Sequence, residues 1–147
     1  AAVAAATHFF PHQNTLVIDA GTCITYDWLI EGKNYIGGNI APGLQMRLKA
    51  MHEFTNALPL VDNHWAEQYV GNSTTTAMQN GALLGTLLEM EGIIDWSSSK
   101  WKEINVILTG GDTDFFANHS KKRIFASPEL VLIGLNKILD YNARLEE

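Results

Sequence analysis

Thr15-Leu16-Val17-Ile18-Asp19-Ala20-Gly21-Thr22-Cys23-Ile24-Thr25-Tyr26-Asp27-Trp28-Leu29 is the stretch that decides the fold of this chain. Its first four residues are apolar or β-branched and stop at Asp19-Ala20-Gly21-Thr22. From Cys23 to Leu29 the residues alternate in the manner of a strand. Glu31-Gly32-Lys33-Asn34 is a polar turn, and Tyr35-Ile36 opens a third strand expected to end at Gly37-Gly38. The pattern predicts a meander of three antiparallel strands joined by hairpin turns. In the first turn, Gly21 lets backbone N–H groups come close to a phosphate, because no Cβ intervenes. The Thr22 hydroxyl adds a donor. Asp19, at the end of a buried strand, can hold a cation that offsets phosphate charge. An ordinary hairpin would use the same Asp and Gly simply to turn, so four residues alone say little.

Upstream, residues 1–10 read as the end of an alanine-rich helix closed by Phe9-Phe10-Pro11. The run Ala1-Ala2-Val3-Ala4-Ala5-Ala6 has no basic flank, so it fits a helix cut part-way better than a signal peptide. Downstream, Pro42-Gly43 breaks the sheet, and Leu44, Leu48, Met51 and Thr55 follow at helical spacing. The loop through Pro59 and His64-Trp65 shows little periodicity. Ser73 and Thr74 are suited to cap the next helix. Behind them Ala77, Gly81 and Gly85 recur every four residues, a stripe that predicts close packing at an interface or against the sheet. Leu84, Leu88 and Ile94 are expected on the core side of that helix, which Ser97-Ser98-Ser99 ends. Ile104-Asn105-Val106-Ile107-Leu108 is the clearest strand, and it runs into Thr109-Gly110-Gly111-Asp112 and a short helix. Ser127-Pro128 opens the last helix as a cap followed by proline. Its Val131, Leu135, Ile138 and Leu139 are expected to face the core.

Composition narrows the function classes. The 147 residues suit one domain with a real core. With 10 basic and 16 acidic residues the net charge is −6, which disfavours a nucleic-acid surface. Lys121-Lys122-Arg123 reads as a solvated turn after a helix. A single cysteine, Cys23, excludes an intrachain disulfide and a clustered-cysteine metal site, and points to a reducing, cytoplasmic setting. His8, His12, His52, His64 and His119 have no metal-ligand spacing and read as surface or capping residues. Trp28, Trp65, Trp96 and Trp101 are scattered, so they read as core or interface rather than as a stacking platform. No apolar run approaches the ~20 residues that cross a bilayer, so no membrane partner is expected.

Thr109-Gly110-Gly111-Asp112 is the second candidate for chemistry. Where a strand meets a helix, paired glycines let a flat adenine or ribose lie against the backbone. Such turns are common, and this one is also uninformative alone. Together with the first turn it says more, because actin-like ATPases and sugar kinases place an Asp-x-Gly-Thr hairpin on the phosphates. Further along the same chain, their Thr-Gly-Gly turn borders the adenosine. A third group is Gly37-Gly38-Asn39-Ile40-Ala41-Pro42-Gly43, followed by Leu58-Pro59 and by Asn72-Ser73-Thr74 before Ala77-Met78 and Gly81. In this order the motifs resemble type III pantothenate kinase over essentially the whole chain, from about Ala1 to Asn142. The fold class implied is α/β. It is one half of an actin-like, ribonuclease H-like ATPase, with a mixed sheet whose three-stranded antiparallel meander is flanked by helices.

The resemblance implies transfer of the γ-phosphate of ATP to the primary hydroxyl of pantothenate, giving 4′-phosphopantothenate at the entry to coenzyme A synthesis. It implies a homodimer, ATP with a divalent cation such as magnesium, and a monovalent cation, potassium or ammonium. Carried over by motif, Asp19 matches the cation ligand, Gly21 and Thr22 the ATP-binding turn, and Thr74 the pantothenate-contacting threonine. Gly110 and Gly111 match the adenosine side. Two family motifs have no counterpart here: the Asp-x-Gly-Asn-Thr phosphate loop, and the Gly-x-Asp-Arg segment whose aspartate is the general base. Residues 1–147 are therefore expected to be the C-terminal domain, with 1–10 the end of an inter-domain helix and the N-terminal domain absent. No residue of this chain is assigned as catalytic, and the chain alone is expected to be inactive. Asp27 reads as a strand-end or supporting carboxylate, and Asp112 as a helix N-terminal residue favoured by the dipole. The alternative function is a non-catalytic, nucleotide-binding or regulatory relative of the same fold.

Overall fold

The computed structural model describes residues 1–65 and 68–145. The hairpin forms as its alternation dictates, with β1 (Asn14–Ala20) antiparallel to β2 (Cys23–Ile30) and β2 antiparallel to β3 (Asn34–Pro42). Strand β4 (Ile104–Thr109) lies parallel to β1, and the short β5 (Phe125–Ala126) lies parallel to β4. The sheet order is therefore β3-β2-β1-β4-β5. An antiparallel meander continued by parallel strands through helical crossovers is the actin-like, ribonuclease H-like half that the sequence implies.

Alternation along β1 divides the core in two. Leu16, Ile18 and Ala20 face α2 (Leu44–Glu53), α3 (Thr74–Lys100) and α4 (Thr113–His119), where Leu44, Leu48, Leu83, Leu87, Met90 and Phe116 are buried. Val17 faces the other layer, with Leu29, Ile107, Ala5, Ala6 and Leu130, under α1 (Ala2–Phe9) and α5 (Leu130–Leu145). Helix α3 opens with a reciprocal cap: Thr76 N–H donates to Ser73 Oγ at 3.2 Å, and Ser73 N–H donates to Thr76 Oγ1 at 3.0 Å. Trp28 donates Nε1–H to Ser97 Oγ at 2.9 Å, and its ring meets those of Trp96 and Trp101 edge-on or tilted. Three of the four tryptophans are thus one cluster, of which Trp28 is buried, Trp101 half-buried and Trp96 exposed. No helix among the described residues is long and apolar enough to cross a membrane.

Four expectations are corrected by the packing. Strand β3 does not end at Gly37-Gly38 but runs to Pro42, with Gly38 opposite Asp27 and Gly37 opposite Trp28. Gly38 is bare because a Cβ there would run into the Tyr26 carbonyl and lie 2.6 Å from Asp27 Oδ1. Second, α3 turns Leu83 and Leu87 to the core, while Leu84 is half-buried and Leu88 exposed; Ile94 is buried as expected. Adjacent leucine pairs at four-residue spacing leave the phase open until the sheet selects one member.

Third, α5 buries Leu130 and Gly134, whereas Leu135, Ile138 and Leu139 are exposed and Val131 is half-buried. Gly134 presses on the backbone of Ala1, so α5 rides on α1 along a narrow line. Fourth, the sheet half of the expectation for the small-residue stripe is overturned: an added Cβ at Gly81 or Gly85 would meet nothing within 4 Å, which leaves an interface with another chain as the setting for that face. Gly81→Leu should accordingly leave the chain folded and stabilise it by about 0.5–1 kcal/mol through helix propensity. A thermal melt checks this, and a large fall in the midpoint would contradict the open face.

Candidate functional site

Gly21 and Thr22 are the whole of the first turn, because β1 ends at Ala20 and β2 starts at Cys23. Gly21 donates its N–H to Cys23 O at 3.0 Å, which closes the turn and removes that donor from any ligand. Thr22 is exposed, and neither its N–H nor its hydroxyl is hydrogen-bonded among the described residues. The free donors of the hairpin therefore belong to Thr22, not to the glycine. A Cβ added at Gly21 would meet only Cys23 O, at 3.9 Å, an ordinary contact. Nothing inside the fold demands glycine there. Its bareness leaves open surface beside the Thr22 donors, as the close approach of a phosphate requires.

Two other motifs press on this turn from opposite sides. Gly43, buried at the N-cap of α2, donates its N–H to Thr22 O at 3.0 Å. A Cβ at Gly43 would overlap the Gly21 carbonyl and lie 2.7 Å from Thr22 O. On the other side, Asp112 N–H donates to Ala20 O at 2.9 Å. Gly110, with φ 97°, abuts the Ala20 carbonyl, and a Cβ there would lie 2.6 Å from Asp19 Oδ1. Gly111 differs, being exposed with nothing within 4 Å of the place a Cβ would take. The two glycines of that turn thus divide their roles: Gly110 fits the hairpin, and Gly111 leaves a bare surface facing outward.

Asp19 points to the α1/α5 side of the sheet, where those helices leave the end of β1 uncovered. An open cavity of about 680 Å3 there is lined by Asp19, Thr25, Asp27, Lys33, Tyr35 and the first turn of α1. Asp27 is fixed by two donors, Tyr35 Oη–H at 2.7 Å and Thr25 Oγ1–H at 3.3 Å. Burial pushes the Asp19 carboxyl above its usual range, and the negative charge of Asp27 adds to this. A carboxylate made costly by desolvation and a like-charged neighbour is relieved by a cation, so the donor set fits one. Among the described residues no three His, Cys, Asp or Glu side chains converge on one point. A cation at Asp19 would then complete its shell from hydroxyls, backbone carbonyls or ligand oxygens.

On the opposite side of the turn, Thr22 borders a cavity of about 490 Å3 with Gln45, Met46, Lys49 and Glu53 of α2. A third cavity, about 770 Å3, lies along Ile104–Val106 of β4 and includes none of the motif residues. Thr74 stands apart from the convergence. It is the exposed first residue of α3, whereas α3 meets α2 and β2 at Glu89. There Arg47 pairs with Glu89 at 2.8 Å, and Tyr26 Oη–H donates to the same carboxylate at 3.4 Å. Thr74 and Glu89 are 15 positions apart, about 22 Å along a helix. Asp112 stands at the N-cap of α4 without a side-chain cap bond, and burial raises its carboxyl pKa. The Arg47–Glu89 tie and the packing of Trp65 had no signal in the sequence, because both join residues far apart in the chain.

Comparison with known proteins gives this convergence a family. Residues 1–96 match the family model described as type III pantothenate kinase. A type III pantothenate kinase of Bacteroides fragilis is 49% identical over 142 residues, which cover 97% of this chain and 58% of that protein. One from Christiangramia forsetii is 44% identical over 142 residues, with the same coverage. The chain thus spans less than two thirds of the length of these relatives. Among solved structures, a Campylobacter jejuni protein assigned to the Baf family of transcriptional activators superposes with a TM-score of 0.68 at 24% identity. That match covers 95% of this chain and 63% of the other, and it supports the fold alone. With the motifs in order, the hairpin clasped between two glycine turns and a match over most of its length, this chain belongs to the type III pantothenate kinase family.

Proposed function

We propose that the protein carrying this chain transfers the γ-phosphate of ATP to the primary hydroxyl of pantothenate, and that this chain supplies the half that seats the nucleotide. The observation that carries the reading is the pair of bare, outward positions Gly21 and Gly111, which no contact inside the fold explains. They flank a hairpin whose Thr22 N–H and hydroxyl are unpaired among the described residues. In this reading Thr22 donates to a phosphate oxygen, and Gly21 lets that oxygen approach. Gly110 and Gly111 border the adenosine. Asp19, with Asp27 beside it, would hold the monovalent cation, which when bound offsets phosphate charge; magnesium would travel with ATP. The general base and a second phosphate loop belong to the part of the relatives' length that this chain does not span. Thr74 contacts pantothenate, and its place on the first turn of α3, about 22 Å along that helix from Glu89, fits a homodimer in which it serves a neighbouring copy.

Gly21→Ala separates binding from folding. The variant should melt within about 2 °C of the unsubstituted chain, because the added methyl meets only ordinary contact. Its affinity for magnesium–ATP, measured by calorimetry, should fall at least about tenfold. Undiminished affinity would remove the hairpin from the nucleotide site. Absence of pantothenate phosphorylation by the full-length protein, with ATP binding intact, would instead favour a non-catalytic relative.

A further inference from the structure

We infer that Trp65 is a positioning residue, tying the connection that leads into Thr74 to the helix that follows Thr109-Gly110-Gly111-Asp112. The described residues of the connection between α2 and α3, 54–65 and 68–73, form no helix or strand, so side-chain anchors decide where they lie. Most of its anchors belong to α2 or α3. His52 Nδ1–H donates to Leu58 O at 2.8 Å, and Gln79 Nε2 donates to Asp62 Oδ1 at 3.1 Å. Trp65 reaches further. Its ring packs on Phe115 and His119 of α4, with centroids 6.0 and 4.9 Å away. Its Nε1–H donates to Asn80 Oδ1 on α3 at 3.1 Å and also lies 3.3 Å from Gln68 O.

One indole therefore joins α3, which opens at Thr74, to α4, which follows the Thr109–Asp112 turn. Asn80 lies six positions beyond Thr74, about 9 Å along α3. At its other end α4 is rooted on the hairpin through Asp112 N–H and Ala20 O, 2.9 Å apart. A rigid aromatic body with a single polar handle is suited to such a strut, since the ring supplies contact area and the N–H fixes its rotation. The rings that Trp65 touches lie on α4 and on the connection itself, and the indole also packs, half-buried, against the larger core cluster. What it sets is the placement of the α3 N-terminus, where the Ser73–Thr76 cap presents Thr74.

The kinetic part of this role rests on the reading of Thr74 as the acceptor-side residue, so two measurements are paired. In Trp65→Ala, amide hydrogen exchange at Thr76 and Ala77 should quicken by at least about tenfold, while Leu83–Met90 and the β1–β2 hairpin keep their protection. Unchanged exchange at that first turn, or an equal rise throughout the chain, would overturn the inference. In the full-length protein, Trp65→Ala should raise the KM for pantothenate about tenfold and leave the KM for ATP within about twofold. Trp65→Phe, which keeps a ring and loses the N–H, should fall between. Equal rises in both KM values, or a fall in kcat alone, would count against it. Should the unsubstituted full-length protein fail to phosphorylate pantothenate, the kinase reading fails, and the exchange result alone decides the role of Trp65.

Discussion

Gly110→Ala is expected to lower the melting temperature by about 10 °C. The residue sits at φ 97°, where a side chain costs on the order of 1–2 kcal/mol before any contact is counted. An added Cβ would also run into the Ala20 carbonyl and crowd Asp19 Oδ1 at 2.6 Å. Backbone cannot swing aside as a flexible side chain does, so overpacking adds about 1–3 kcal/mol. A total near 3 kcal/mol corresponds to that shift for a chain of this size. Gly111→Ala, one residue on, should melt normally, because its Cβ would stand in open space. Differential scanning calorimetry on the pair tests the claim internally: equal midpoints would mean that the Thr-Gly-Gly-Asp turn does not bear on the hairpin.

Asp19→Asn is expected to move stability and binding in opposite directions. The Asp19 carboxyl is raised above its ordinary value of 3.8, first by burial and then by Asp27. A raised carboxyl binds its proton more tightly in the folded chain than in the unfolded one. Its favourable contribution is therefore present below the unfolded value and is lost as pH climbs through the folded value. At neutral pH the residue is ionised at a cost, which the amide escapes. The variant should thus melt higher at pH 7, and the decline of its midpoint as pH rises from about 4 through the folded value should flatten. Its affinity for magnesium–ATP in potassium buffer should drop at least about tenfold, since the amide offers a cation no net charge. A variant that is less stable at pH 7 and binds normally would sink the assignment of Asp19 to the cation.

The strands that hold the site were legible because their signals are local. Thr15–Ile18 and Ile104–Leu108 are short apolar runs stopped by glycine turns, and no distant contact is needed to recognise them. The order of the motifs also survived, with Asp19–Thr22, Gly43 and Gly110–Asp112 meeting at one hairpin. Legibility failed where an answer depended on what lies across. Gly37-Gly38 reads as a strand end by propensity. In the fold it continues β3, because the Asp27 carboxylate and the Tyr26 carbonyl occupy the space of a side chain. The apolar residues of α5 promised a wide buried stripe, yet the Ala1–Gly134 contact seats the helix on its edge and leaves Leu132, Leu135 and Leu139 outside. The separate duties of Gly110 and Gly111 are invisible in a string of two identical letters.

Cys23 rules out an intrachain disulfide, and its position gives it a further use. It is an exposed free thiol that opens β2, directly after Thr22. As the only cysteine in 147 residues, it makes thiol chemistry on this chain stoichiometric and unambiguous in location. A fluorophore or spin label attached there would stand at the rim of the hairpin, and the rate of its attachment would report how open that rim is. The molecule therefore carries its own addressable reporter at the turn whose occupancy matters most.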